Sequence, residues 1–120
     1  MGRDAMRAIY KICSTAEWAE ARRIGTYAGS DVDRRDGFIH FSTGDQVAET
    51  AVRYFSSLDD LVLLMVDADA LGHRLKWESA RGGALFPHLY AQLDTAAAIW
   101  VKALPAREAR ASYLARLPMD

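Results

Sequence analysis

The apolar run Ala8-Ile9-Tyr10-Lys11-Ile12-Cys13 predicts a strand over about Arg7 to Cys13, buried on at least one face. Ser14, with Glu17 three residues on, has the form of a capping box and starts a helix that Gly25 ends. Trp18, Ala21 and Ile24 fall on one stripe of that helix, with charged residues around the rest. From Thr26 to Asp36 the pattern dissolves into Gly, Ser, Asp and Arg, which predicts a surface loop able to line a cleft. A second strand is expected over Phe38 to Phe41. It leads through Ser42 and Thr43 into a helix from Asp45 to about Phe55, whose buried stripe is Val47, Ala51, Tyr54 and Phe55.

Leu61 to Val66 is an unbroken apolar run, too short for a typical helix and rich in branched residues, so it predicts a central strand buried on both faces. Asp67 to Gly72 turns the chain into a strand from His73 to Glu78, with Leu75 and Trp77 on one side. Gly82-Gly83 marks a flexible connection, and further strands are expected at Leu89 to Leu93 and Ile99 to Leu104, the latter stopped by Pro105. Ala109, Tyr113, Leu114 and Leu117 recur at helical spacing in the tail. This order predicts an α+β domain with small mixed or antiparallel split sheets and two or three helices packed alongside.

Length fits a single domain over 1–120, with a main body over about 7–104 and a helical tail over 105–120. With 51% hydrophobic residues, 26% charged residues and a formal net charge of -1, the chain has the profile of a globular protein and no bulk signal for nucleic acid. Arg34-Arg35 and Lys76 with Arg81 read as solvated surface. The single cysteine, Cys13, has no internal partner and reads as a core thiol. No run approaches the roughly 20 apolar residues of a membrane span, and the first residues do not resemble a secretory signal. The expectation is a cytoplasmic protein, a monomer or weak homodimer.

Candidate chemistry lies in two patches, Gly37-Phe38-Ile39-His40-Phe41-Ser42-Thr43 and Phe86-Pro87-His88-Leu89-Tyr90, which set two of the three histidines among apolar residues. Ser42 and Thr43, placed at a helix entrance, could join His40 in binding an anionic or hydroxylated ligand; equally, Ser42 could cap the helix. Strand alternation puts His88 and Tyr90 on one face, an imidazole beside a phenol. Glu78, beside Trp77, could act protonated as a general acid or ionised as a stabiliser of a developing cation. His40, His88 and Glu78 could also be read as metal ligands for a hydrolase, but no local ligand spacing supports that. Phosphate-loop, dinucleotide and nucleophile-elbow motifs do not occur.

Ile9-Tyr10-Lys11-Ile12, Glu17-Trp18, the first histidine patch, Gln46, Thr50, the strand from Asp60 to Asp67, Trp77-Glu78 and the second histidine patch resemble the small bacterial proteins grouped as domain of unknown function 952. The resemblance runs from about Ile9 to Leu104. It implies a fold similar to the ADP-ribosyltransferase superfamily, in which a cleft between two small sheets holds NAD. By that resemblance His40 with Ser42 would contact the ribose, Tyr90 or Tyr54 would stack on nicotinamide and Glu78 would assist transfer; the full candidate set is His40, Glu78 and His88 as catalytic residues, with Ser42, Thr43, Gln46, Arg81, Phe86 and Tyr90 contacting a nucleotide-like ligand. Phe41 stands where many transferases have Gly, and Ala91 where this family usually has Gly. Glu78 precedes Tyr90, against the usual order of histidine, tyrosine and glutamate, and only Tyr54 would restore it.

Overall fold

The computed structural model describes residues 7–117, apart from the Arg81 side chain. In chain order the elements are β1 (Ala8–Ser14), α1 (Thr15–Ile24), β2 (Thr26–Tyr27), α2 (Asp31–Asp36), β3 (Ile39–His40), β4 (Ser42–Thr43) and α3 (Val47–Phe55). They continue with β5 (Leu61–Asp67), β6 (Leu75–Ser79), β7 (Leu85–Leu89), β8 (Leu93–Asp94), β9 (Ala98–Ala103) and α4 (Arg107–Ala115), with 3-10 segments at Ala68–Arg74, Arg81–Gly83 and Thr95–Ala97. The architecture is mixed α+β with antiparallel sheets.

The main sheet has the order β4-β1-β5-β9, and β1 pairs with β5 along its whole length, from Ala8 opposite Asp67 to Ser14 opposite Leu61. Because side chains alternate across a strand, this sheet feeds two separate cores. Ile9, Cys13, Val62, Leu64 and Val66 face one core with Trp18, Ala21, Ile39 and Leu89. Tyr10, Ile12, Leu61, Leu63 and Met65 face the other, beneath Val47 and Ala51 of α3 and Leu114 of α4. The run in β5 is apolar throughout because both of its faces are covered. Burial pushes the Cys13 thiol up to about 12.

A second sheet, β3-β7-β6, packs Ile39, Leu89, Leu75 and Trp77 against the first core, and β2 pairs with β8 as a small ribbon. Pro87 lies within the middle strand, β7. Its carbonyl accepts from Phe41 N–H at 3.0 Å, so the side of Pro87 that has no donor faces β3, where that strand has already ended.

The first helix follows its local signals: Ser14 and Glu17 form the capping box, and Gly25 ends α1 at φ 104°. Elsewhere tertiary pairing prevails. The expected loop over Thr26 to Asp36 holds β2 and the short helix α2, which has its own capping box between Ser30 and Asp33. The expected strand over Phe38 to Phe41 breaks at Phe41, so that β3 joins one sheet and β4 the other. Ser42 and Thr43 therefore pair with Tyr10 and Ile9 instead of opening a helix, and α3 begins only at Val47, beyond Asp45. The expected strand over Leu89 to Leu93 is a turn between β7 and β8, and His73 lies in a 3-10 segment ahead of β6. Ile24 and Tyr54 were expected on buried stripes but are 61% and 57% exposed, and Ala109 is exposed too. Their helices are short and pack on one narrow line. Among the described residues no helix is long and apolar enough to cross a membrane.

Candidate functional site

The register of the second sheet sets His40 opposite His88, and His88 opposite Lys76. With Ile39, Leu89, Leu75 and Trp77 turned to the core, the period of two directs His40, His88, Lys76 and Glu78 to the other face. Two histidine–carboxylate pairs stand there side by side, with imidazole centroids 5.5 Å apart.

In the first pair, His88 Nδ1 lies 2.7 Å from Glu78 Oε1, and the Tyr90 hydroxyl donates to the same oxygen at 2.7 Å. The side chain of His88 is 8% exposed and that of Glu78 38%. Hydrogen bonds from His88 and then Tyr90 hold the Glu78 carboxyl below its ordinary range, and the Glu78 hydrogen bond pushes the Tyr90 phenol up. Glu78 is thus held as the carboxylate, with Oε2 lacking a hydrogen-bond partner among the described residues.

The second pair is built from below. Asp33, 2% exposed in α2, places Oδ1 2.6 Å from His40 Nδ1 and accepts the His40 backbone N–H at 3.2 Å. Its Oδ2 accepts from Ser30 N–H at 2.9 Å and lies 2.7 Å from Nζ of Lys11, which is itself 6% exposed. Burial alone would raise the Asp33 pKa. The His40 hydrogen bond, the Lys11 charge and the Ser30 N–H outweigh it and hold the carboxyl well below the usual carboxylate range. On the outer side, His40 Nε2 lies 3.1 Å from Asp36 Oδ2. Both nitrogens of His40 therefore lie near carboxylates, with Nδ1 hydrogen-bonded to Asp33.

Phe38 lies across the two pairs. Its ring stacks on His88 at 4.1 Å between centroids and 26° between planes, and makes tilted contacts with His40 at 4.5 Å and Tyr90 at 5.2 Å. Beyond it opens a cleft of about 390 Å³, lined among others by Phe38, Tyr90, Arg34, Gln92 and the edge of Asp33. The segment Thr26 to Asp36, expected to line a cleft, contributes Ala28, Asp33 and Arg34 to this one; of the candidate catalytic and ligand-binding residues only Tyr90 reaches it, and His40, His88 and Glu78 are not in its lining.

The remaining candidates do not join them. Ser42 is 4% exposed and its Oγ lies 2.9 Å from Thr50 Oγ1. Thr43 N–H donates to Gln46 Oε1 at 2.9 Å and the Thr43 hydroxyl donates to Asp45, while Gln46 Nε2 donates to Leu85 O at 2.7 Å. These groups stitch β4, α3 and β7 together, so the expected anion site at a helix entrance is replaced by strand pairing. Phe86 is 7% exposed, and the Arg81 side chain lies outside the described part of the structure. Among the described residues no group of three or more His, Cys, Asp or Glu side chains is arranged to hold a metal ion.

Lys11, Asp33 and Phe38 were not among the expected site residues. Lys11 carried a signal as the one charge in the apolar run of β1, and Asp33 another as the fourth residue of a Ser-x-x-Asp capping box. Phe38 carried none, since an aromatic opening an expected strand reads as core.

Residues 12–101 match the family described as "Protein of unknown function (DUF952)". The crystal structure of protein CC0527 from Caulobacter crescentus is similar at 50% sequence identity and a TM-score of 0.80, covering 82% of this chain and 86% of that one. The solution structure of CC0527 is similar at 50% identity and a TM-score of 0.74, over 82% and 85% of the two chains. No curated protein matches the chain.

Proposed function

The chain belongs to the DUF952 family, and from that premise we propose that its cleft binds a nucleotide-like ligand of the NAD or ADP-ribose type. ADP-ribosyl or related glycosyl transfer or hydrolysis is the chemistry its side chains suit. The observation that carries this reading is the convergence of His40, His88, Glu78 and Tyr90 on one sheet face, bordering a cleft walled by Phe38 and Tyr90. Aromatic rings offer a stacking surface for a planar base. An ionised Glu78, whose second oxygen has no hydrogen-bond partner among the described residues, can stabilise a ribosyl oxocarbenium as the glycosidic bond breaks. The two packed antiparallel sheets support a likeness to the ADP-ribosyltransferase fold, an analogy that carries no activity by itself.

Calorimetry with NAD and with ADP-ribose tests the binding, and release of nicotinamide from NAD tests the reaction. Saturable heat with the wild type, and loss of nicotinamide release in Glu78→Gln with binding retained, is the expected result. No heat at millimolar nucleotide ends the proposal.

A second reading, a non-catalytic binding or interaction module with structural histidines, is favoured by one observation: protein carboxylates already occupy both nitrogens of His40. On that reading His40→Ala markedly lowers the melting temperature, whereas a ligand-site histidine can be removed with little loss.

A further inference from the structure

Phe38 belongs to neither hydrophobic core, although it is an apolar ring in a chain that buries its large side chains in two of them. Its ring contacts among the described residues are with His88, His40 and Tyr90, three side chains that can hydrogen-bond to a ligand. It also lines the open cleft, so a rotation about its own Cα–Cβ bond has somewhere to go. Under it, His88 uses Nδ1 on Glu78, while Nε2 has no hydrogen-bond partner among the described residues.

We infer that Phe38 is a plug: its phenyl ring fills an aromatic box formed by His40, His88 and Tyr90, and a planar aromatic ring from the ligand enters that box by displacing it. The exchange replaces one stacked ring by another, which keeps the dispersion contacts, and adds a polar ring edge for His88 Nε2 that phenyl cannot supply. Displacement would also open to the ligand the faces of His88 and His40 that the phenyl ring covers. For the ligand's identity this rests on the nucleotide reading above; the plug itself does not.

The test uses the full chain with NAD, ADP-ribose and free nicotinamide as probes. Proton NMR follows the Phe38–His88 ring contact in the wild type, and calorimetry compares the wild type with Phe38→Ala and Phe38→Leu. The expected results are loss of the Phe38–His88 contact when NAD saturates the wild type, and at least tenfold tighter binding of nicotinamide to Phe38→Ala. Phe38→Leu supplies the comparison if the alanine variant does not fold. A wild type that binds NAD with the Phe38–His88 contact intact overturns the plug and leaves the nucleotide reading standing. If neither nucleotide binds, but nicotinamide displaces Phe38 in the wild type, the nucleotide reading fails and the plug stands. Nicotinamide binding that is unchanged in a folded Phe38 variant overturns the plug.

Discussion

Replacing Lys11 by Met removes one member of an ion pair whose partners are 6% and 2% exposed. Methionine fills the space of the lysine stem, so the perturbation is mainly the loss of a charge facing Asp33. Breaking a buried pair by deleting one partner costs about 3–5 kcal/mol, because the other charge stays desolvated. Asp33 would keep three N–H partners, the Ser30 and His40 backbones and His40 Nδ1, so the lower end applies: about 3 kcal/mol. For a domain of this size that corresponds to a fall in melting temperature of roughly 10 °C. Urea unfolding of Lys11→Met, Asp33→Asn and the double variant forms a double-mutant cycle. The double variant should be less destabilised than the sum of the singles by about 1–3 kcal/mol, since a neutral amide beside a thioether leaves no stranded charge. If Lys11→Met loses less than about 1 kcal/mol, or the singles add to within about 0.5 kcal/mol, the pair is not coupled as its geometry implies.

Three further outcomes follow from the same contacts. Because the folded-state pKa of Asp33 lies below its ordinary value of 3.8, the unfolded chain binds more protons in that range. The contribution of Asp33 is therefore complete above that pH and lost as pH falls through the folded value; acid denaturation of Asp33→Asn should show a shallower loss over that window than the wild type. Removing the acceptor in Glu78→Ala should bring the Tyr90 phenol down toward its ordinary value of 10.0, read as a shift of the tyrosinate absorbance titration, and an unchanged titration would contradict the 2.7 Å contact. Arg110, 4% exposed, donates to the carbonyls of Phe55, Leu58 and Pro105 at the end of α3 and the start of α4. Thermal unfolding of Arg110→Met should show a loss of about 1–3 kcal/mol, the cost of leaving partly buried carbonyls unpaired.

Some of this molecule is legible in the chain. Ser14, Glu17 and Gly25 delimit α1 because caps act through neighbouring backbone groups, which needs no distant partner. The apolar runs of β1 and β5 announce strands because both faces of their sheet are covered. At the site, the alternation through His88 directs that side chain to a definite face, and the histidine patches mark where polar groups lie among apolar ones. The segment around Asp33 was harder to read: one turn and a half of helix has no hydrophobic stripe, so its only local trace is the capping box.

Local sequence therefore specifies the elements whose causes lie within a few residues, together with the polar groups that burial makes conspicuous. Which of those groups meet depends on how strands pair and layers pack. Ser42 and Thr43 became a strand because β1 offered them a ladder, and Glu78 reached His88 because β6 pairs with β7 in one register and no other. The same register turned Leu75 and Trp77 inward, laid Phe38 over the two imidazoles, and let Lys11, from the opposing sheet, reach the carboxylate that holds His40. Pairing and packing are contacts between residues far apart in sequence, so no local pattern contains them.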